Sequence, residues 1–345
     1  MIKESSRTTI TTLVGVAGIV VLVGVLLIVP EYAPQTGSVV PQGKTSGTLL
    51  ISGYNSVVES YALVVMAGSE RGIWNNSGIN PDFVTTQGKT NVASDITAHV
   101  SRGIKLGINI PSEIILARAN GAPVKIVAAF TGEITPNVYT RADSPINTAK
   151  DLDGKRIGVF LVPGAGQRQL QFVADTLGFK PVIVTAGDAF NADIRLQRGD
   201  IDAYVSSDPS SLQLVESGRR KVVLKLADGI PKPYATFAVW ATDDLIEQDP
   251  NLVKRFVTAT LETVKYLQEN PTYTATLYQK LIPDAQPEIA RLAVSQIDWR
   301  PEGKGSGDDL GLAVANIWTY ARAVNILPQS TAVRIEDTIN ARFLP

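Results

Sequence analysis

The chain has 345 residues, 44% of them hydrophobic, with 32 basic and 33 acidic side chains and a net charge of −1. That length and composition suit two ordinary domains with sizeable cores, and the scattered, balanced charge excludes a nucleic-acid footprint. With no cysteine and a single histidine, His99, the chain is expected to carry no disulfide, no metal site and no cysteine nucleophile, and a Ser–His pair could use only His99.

The elements begin with a segment that is not part of the fold. Lys3 and Arg7 precede ITTLVGVAGIVVLVGVLLIV, Ile10 to Val29, an uncharged run of the length of a membrane span. No positive charge follows until Lys44, so the amino terminus is expected inside and the remainder outside. The expected layout is a cytoplasmic stretch 1–9, a transmembrane anchor 10–29 and a flexible linker 30–47 rich in Pro, Gly, Ser and Thr. A cleaved secretion signal is the alternative, with Glu31-Tyr32-Ala33 a weak cleavage site.

From Thr48 onward short apolar strands alternate with amphipathic helices, the pattern of an α/β fold. Strands are predicted in TLLISG, PDFVTT, IKLGINI and VKIVAAF, then in NVYTR, KRIGVFLV, PVIVTAG, IDAYVSS and KVVLKLA. YATFAVWAT is the last strand, and the rest is mostly helix. Between the strands, SVVESYALVVMAGSERGI, SDITAHVSRG, PSEIILARANG and DPSSLQLVESG read as helices, and TAKDLDG as a short one. Two stretches echo each other. HVSRGIKLGINIPSEIILARANG and RLQRGDIDAYVSSDPSSLQLVESG each run from a helix end through Arg-Gly and a strand to a helix led by Pro or Ser. The echo suggests two lobes built on one unit, although any two βα units share this outline.

VFLVPGAGQRQLQFVADTLGF, Val159 to Phe179, is a strand, a glycine turn and a helix, a geometry that cradles anions. A nucleotide loop is excluded by the letters. Gly166 is followed by Gln167 and Arg168 rather than Lys and Ser or Thr, and the third glycine of a dinucleotide fingerprint is replaced by Gln169. A helix start that offers backbone N–H groups to some other ligand stays open.

The order and spacing of several phrases carry a family resemblance. GYNSVVESYALVVMAGSERGIW, PSEIILARANGAPVKIVAAF, DLDGKRIGVFLVPGAGQRQLQFVADTLGF, RGDIDAY and DPNLVKRFVTATLETVKYLQENP together resemble the solute-binding proteins of ABC transporters in the nitrate, sulfonate, taurine and thiamine-pyrimidine-precursor group. The resemblance implies an α/β, two-lobed periplasmic-binding-protein-like fold of type 2, with one ligand between the lobes. It places lobe 1 at 48–131 plus 237–345, lobe 2 at 136–232, and two crossing segments near Thr131–Pro136 and Lys232–Phe237. It also departs from the group's pattern at Ala93-Ser94, where a glycine-serine pair is usual, and at Lys105, where an acid is usual.

The candidate ligand residues follow from helix starts and from those crossings. Tyr54, Asn55 and Ser56 follow the first strand; Ser94 opens a helix; Pro111 and Ser112, echoed by Asp208 and Pro209, open two more. Helix capping explains each of these polar residues equally well. Gly164, Ala165, Gly166 and Gln167 form the turn and helix start of the second lobe, while Phe130, Thr131 and Tyr234 flank the crossings. Arg168, one turn into its helix, is not counted because it can point away. His99 reads as a partly exposed or capped side chain rather than a catalyst. Trp74, Trp240 and Trp318 read as core, and Asp243-Asp244 as charge at a helix start.

The expected function is a monomeric, membrane-tethered receptor, not an enzyme and without a cofactor. It would capture a small anionic or heterocyclic molecule outside the cell and deliver it to ABC permease subunits. A ligand-sensing module for a membrane signalling partner is the alternative, and a biosynthetic enzyme on the same fold a third. The pyrimidine synthases that resemble this group rely on a cysteine-rich motif and histidines, which this chain lacks.

Overall fold

The computed structural model describes residues 48–53, 60–85, 92–132, 136–162, 165–207, 209–283 and 285–345, all within one compact unit, 43–345. The expected anchor and linker, and candidate residues Tyr54, Asn55, Ser56, Gly164 and Asp208, lie outside the described residues. Among the described residues no helix is long and apolar enough to cross a membrane.

The chain first lays down β1 (Leu49–Gly53), α1 (Ser60–Glu70), α2 (Ile73–Asn76), β2 (Pro81–Thr85), α3 (Val92–Ser101), β3 (Leu106–Asn109), α4 (Pro111–Ala119) and β4 (Val124–Thr131). It continues with β5 (Asn137–Arg141), β6 (Arg156–Val159), α5 (Ala165–Leu177), β7 (Val182–Thr185), α6 (Ala189–Arg198), β8 (Ala203–Ser206), α7 (Pro209–Glu216) and β9 (Arg220–Lys225). It ends with β10 (Phe237–Thr242), α8 (Asp243–Gln248), α9 (Pro250–Glu269), α10 (Pro271–Leu281), α11 (Pro287–Ser295) and α12 (Leu310–Ala323).

The described strands form two five-stranded sheets, ordered β2-β1-β3-β10-β4 and β7-β6-β8-β5-β9. The two share one plan. Each has a parallel run with one antiparallel strand inserted beside its third member: β10, which follows the second sheet in the chain, in the first sheet, and β5, the first strand after the crossing, in the second. The echoed stretches occupy the same place in both: α3 into β3 into α4, and α6 into β8 into α7. The chain passes from the first sheet to the second between Thr131 and Asn137, and back between Lys225 and Phe237.

The first sheet is buried on both faces, as near-continuous apolar runs such as VKIVAAFT in β4 require. Trp74 and Trp240 are fully buried, and Trp318 is 6% exposed. Gly107 is a glycine because the Trp240 indole lies across it: a Cβ there would sit 2.5 Å from Trp240 Cε2.

Two readings change and two hold with added detail. His99 is buried rather than partly exposed, 5% accessible, because its Nδ1 is bound to Ser52 Oγ at 2.9 Å. The strand read in KRIGVFLV stops at Val159: Val162 N donates to the Thr185 side chain at 3.1 Å instead of joining a ladder, and Phe160 is left 65% exposed. TAKDLDG forms a single 3-10 turn, closed by a Thr148–Asp151 capping box. Asp243 and Asp244 do open a helix, but they also bind cations. Asp243 pairs with Arg118 and Lys125, and Asp244 with Lys105 at 2.5 Å. Lys105 therefore serves an ion pair at the amino end of β3.

Candidate functional site

Parallel strands present their carboxyl ends on one edge, where the following helices start and where ligands of open α/β sheets bind. In the first sheet that edge is made by Gly53, Asn109 and Thr131, joined by the amino end of the inserted β10 at Phe237. In the second it is made by Val159, Thr185 and Ser206, joined by Asn137 at the amino end of β5. Both crossings leave and enter at these edges, so the two edges share one cleft.

A cavity of about 70 Å³ lies there, with walls from both sheets. Ser60 at the start of α1, Thr131, Thr236 and Phe237 form the first wall. Asn137, Tyr139, Ser207 and Leu212 form the second. Tyr278 and the stretch Ala293 to Asp298, from α10 and the end of α11, close one side. Three of the described lining side chains are aromatic. None is a lysine or arginine, and the one carboxylate, Asp298, accepts from Arg300 Nη2 at 2.8 Å.

Local bonding sets these walls. Thr131 Oγ1 accepts from Phe237 N at 3.1 Å and Thr131 O accepts from Thr236 N at 2.9 Å, which pins the return strand beside β4. Tyr139 stacks on Tyr204 with centroids 5.5 Å apart, and its hydroxyl accepts from Asn137 Nδ2 at 3.2 Å. The Tyr204 hydroxyl, donating to Ser211 Oγ at 3.3 Å, is pushed by burial up to about 12 and stays protonated.

Of the residues expected from sequence, Thr131 lines this cavity. Phe130 lies beneath it, fully buried, its ring stacked on Phe237 at 6.0 Å. Ser94 is exposed on the first turn of α3, whereas Pro111 and Ser112 are buried at the start of α4. Ala165 opens α5, with Gly166 and Gln167 half-buried behind it. Tyr234 is 6% exposed, edge-on to Tyr320 at 6.2 Å.

These last residues mark a second region of the cleft, between α4, α5 and α12. Burial pushes the Glu113 carboxyl above the ordinary glutamate range, opposed by the Arg168 guanidinium and by a hydrogen bond from the Ala93 backbone. The charges of both Arg168 and Glu113 reach the Tyr320 hydroxyl, which burial also raises. Arg168 thus lies within electrostatic reach of Glu113 on α4.

Sequence reasoning missed the lining residues other than Thr131, among them Asn137, Thr236 and the Gln296–Asp298 stretch. The first two flank the crossings next to residues that were named, so position alone could have found them. Gln296 to Asp298 reach the cavity only through the return of the C-terminal helices, for which no local signal exists. Ser52 and His99 do form a Ser–His pair, but Ser52 is fully buried and its hydroxyl donates to Asn109 Oδ1 at 3.3 Å. A hydroxyl with no exposed surface cannot reach a substrate as a nucleophile. Among the described residues, no cluster of three or more His, Cys, Asp or Glu could hold a metal.

The NMT1/THI5-like family model matches residues 60–274, more than half of the chain. Riboflavin-binding protein RibY of Chloroflexus aurantiacus is 24% identical over 267 residues, covering 70% of this chain and 71% of RibY. A 4-amino-5-hydroxymethyl-2-methylpyrimidine phosphate synthase of Schizosaccharomyces pombe is 26% identical over 233 residues, covering 62% of this chain and 64% of its own. Among solved structures, a putative periplasmic sulfonate-binding protein, SsuA of Methylobacillus flagellatus, matches with a TM-score of 0.67 at 20% identity, covering 87% of this chain and 93% of that one. The two-sheet α/β architecture is that of periplasmic binding proteins.

Proposed function

The chain belongs to the NMT1/THI5-like family, and from that premise we propose that it is an extracytoplasmic solute-binding protein that feeds an ABC importer. The observation that carries the reading is the cavity at the shared carboxyl edges, walled from both sheets and aromatic on both sides. Lobes 48–131 plus 237–345 and 136–232 close on a small molecule by bending at the crossings, and the closed monomer docks on the permease. The exposed Phe160 (65%) and Phe190 (72%), at the same edge of the second sheet, suit such a docking rim. Residues 10–29 hold the protein at the outer face of the membrane as an anchor, or direct its export as a signal.

A neutral heterocycle fits the cavity better than a free anion. Aromatic walls stack flat rings, amide and hydroxyl groups read their edges, and no cation among the described lining residues balances a sulfonate or nitrate. The Chloroflexus relative, by name a riboflavin-binding protein, supports this choice.

A biosynthetic enzyme is the second reading, favoured by the Schizosaccharomyces relative. Against it stands the absence of cysteine and the burial of the one histidine against Ser52. Thermal unfolding of the purified chain with riboflavin, 4-amino-5-hydroxymethyl-2-methylpyrimidine, alkanesulfonates, nitrate and bicarbonate tests both. A ligand at 100 times its Kd stabilises by about 2.7 kcal/mol, which is several degrees for a protein of this size. A shift without turnover supports the receptor. No shift with any of these compounds, or a shift accompanied by turnover, overturns it.

A further inference from the structure

Asn109 is the last residue of β3 and is fully buried. Its carboxamide oxygen accepts from Trp240 Nε1 at 2.7 Å and from Ser52 Oγ at 3.3 Å. An indole N–H can only donate, so the amide orientation is determined: the oxygen faces Trp240 and the NH₂ lies on the other side. Ser52 Oγ also meets His99 Nδ1 at 2.9 Å, with the donor set by the His99 tautomer. Among the described residues the Asn109 NH₂ itself has no partner.

The strand register says where that NH₂ points. Trp240 and Ser52 both pair with Gly107, two residues back from Asn109 toward the amino end of the strand. The oxygen is therefore drawn back along β3. In a planar amide the NH₂ then lies on the side away from Gly107, at the carboxyl end of the strand, although Asn109 is fully buried and is not among the residues lining the cavity. The helix that begins there offers no competing acceptor from its cap, since the N-cap is Ile110 and makes no side-chain bond. A buried donor left unmade costs free energy, and a site that keeps one regains it when the partner arrives with a ligand.

We infer that Asn109 is a ligand-reading residue: its NH₂ donates to an acceptor atom, a carbonyl oxygen or a pyridine-type ring nitrogen, of a heterocycle seated at the first sheet's carboxyl edge. Trp240 and the Ser52–His99 pair are positioning residues that aim it. The inference rests on the solute-binding reading and adds to it the group that discriminates between ligands.

The chain has four tryptophans, so its indole N–H resonances are few enough to follow singly in a nitrogen-15 spectrum. Trp240→Phe assigns the Trp240 peak, and riboflavin and 4-amino-5-hydroxymethyl-2-methylpyrimidine are the probes. The expected result is a shift of the Trp240 peak on saturation. Asn109→Asp, which turns the donor into an acceptor, and Asn109→Leu are each expected to weaken binding at least tenfold. The other three indole peaks report whether each variant is folded; should neither fold, the wild-type Trp240 shift decides. Binding by the wild type with a still Trp240 peak, or with unchanged affinity in either folded variant, overturns the inference and leaves the receptor standing. Failure of the wild type to bind either probe counts against the heterocycle reading first, and against Asn109 with it.

Discussion

Phe172 on α5 meets Tyr320 on α12 edge-on, with ring centroids 5.2 Å apart and planes at 76°. A helix of the second sheet thereby touches one that packs on α4 beside the first, at the end of the cleft where Arg168 lies within electrostatic reach of Glu113. Such an aromatic pair contributes about 0.5–1.5 kcal/mol beyond its area. Phe172→Ala should therefore move the balance between closed and open forms about fivefold toward open. Small-angle scattering of the ligand-free protein should show a larger radius of gyration in the variant. An unchanged profile would mean that this contact does not hold the cleft shut.

Glu113 carries a pH signature. Its carboxyl is raised in the folded protein by burial, so the folded state holds its proton to higher pH than the unfolded chain does. The stability it contributes is complete below the ordinary value of 4.5 and is lost as pH rises through the raised folded value. Each tenfold difference in proton affinity corresponds to about 1.4 kcal/mol. Glu113→Gln should therefore raise the urea midpoint at neutral pH and flatten its slope above pH 4.5. A variant that is less stable than wild type at pH 7 would show that the pairing with Arg168 outweighs burial.

Asp193 and Arg220 tie α6 to β9 through a buried ion pair, with Arg220 Nε donating to Asp193 Oδ1 at 2.6 Å and Gln197 Nε2 donating to Oδ2 at 2.7 Å. Removing one partner strands the other's charge among apolar neighbours. Asp193→Ala should cost about 3–5 kcal/mol in urea unfolding, whereas replacing the pair together by Leu and Met should cost far less. A single-variant cost below about 1 kcal/mol, the range of exposed pairs, would sink this account.

Much of this architecture could be read from residues in sequence. The echo between the β3 and β8 neighbourhoods foretold two sheets on one plan, because strand period, Arg-Gly turns and helix starts are local signals. Thr131, read from the sequence because it ends a strand at a crossing, lines the cavity. What stayed hidden was long-range. His99 on an amphipathic helix gives no hint that Ser52, 47 residues earlier, will bind it. Lys105 stands where the similar proteins usually carry an acid, and it binds Asp244, 139 residues away. The Asn109–Trp240 bond spans 131 residues and depends on β10 being inserted beside β3, which no pattern within either segment records.

Two placements of the ligand remain distinct in consequence, and a pair of tryptophans separates them. Ser207 is exposed on the second wall of the cavity, and an indole there would fill a space of about 70 Å³. Gly166 sits in the first turn of α5, where an added Cβ meets nothing within 4 Å. Ser207 is exposed and a Cβ at Gly166 has open space, so both variants should unfold within about 0.5 kcal/mol of wild type without ligand. Ser207→Trp should erase the ligand-induced stabilisation, about 2.7 kcal/mol at 100 times Kd, if the cavity holds the ring. Gly166→Trp should erase it if the ligand instead rests on the α5 helix start. A ligand large enough to span both regions would lose its stabilisation in each variant. Full stabilisation in both would exclude these two placements and leave the carboxyl edge of the first sheet at Asn109 as the remaining seat.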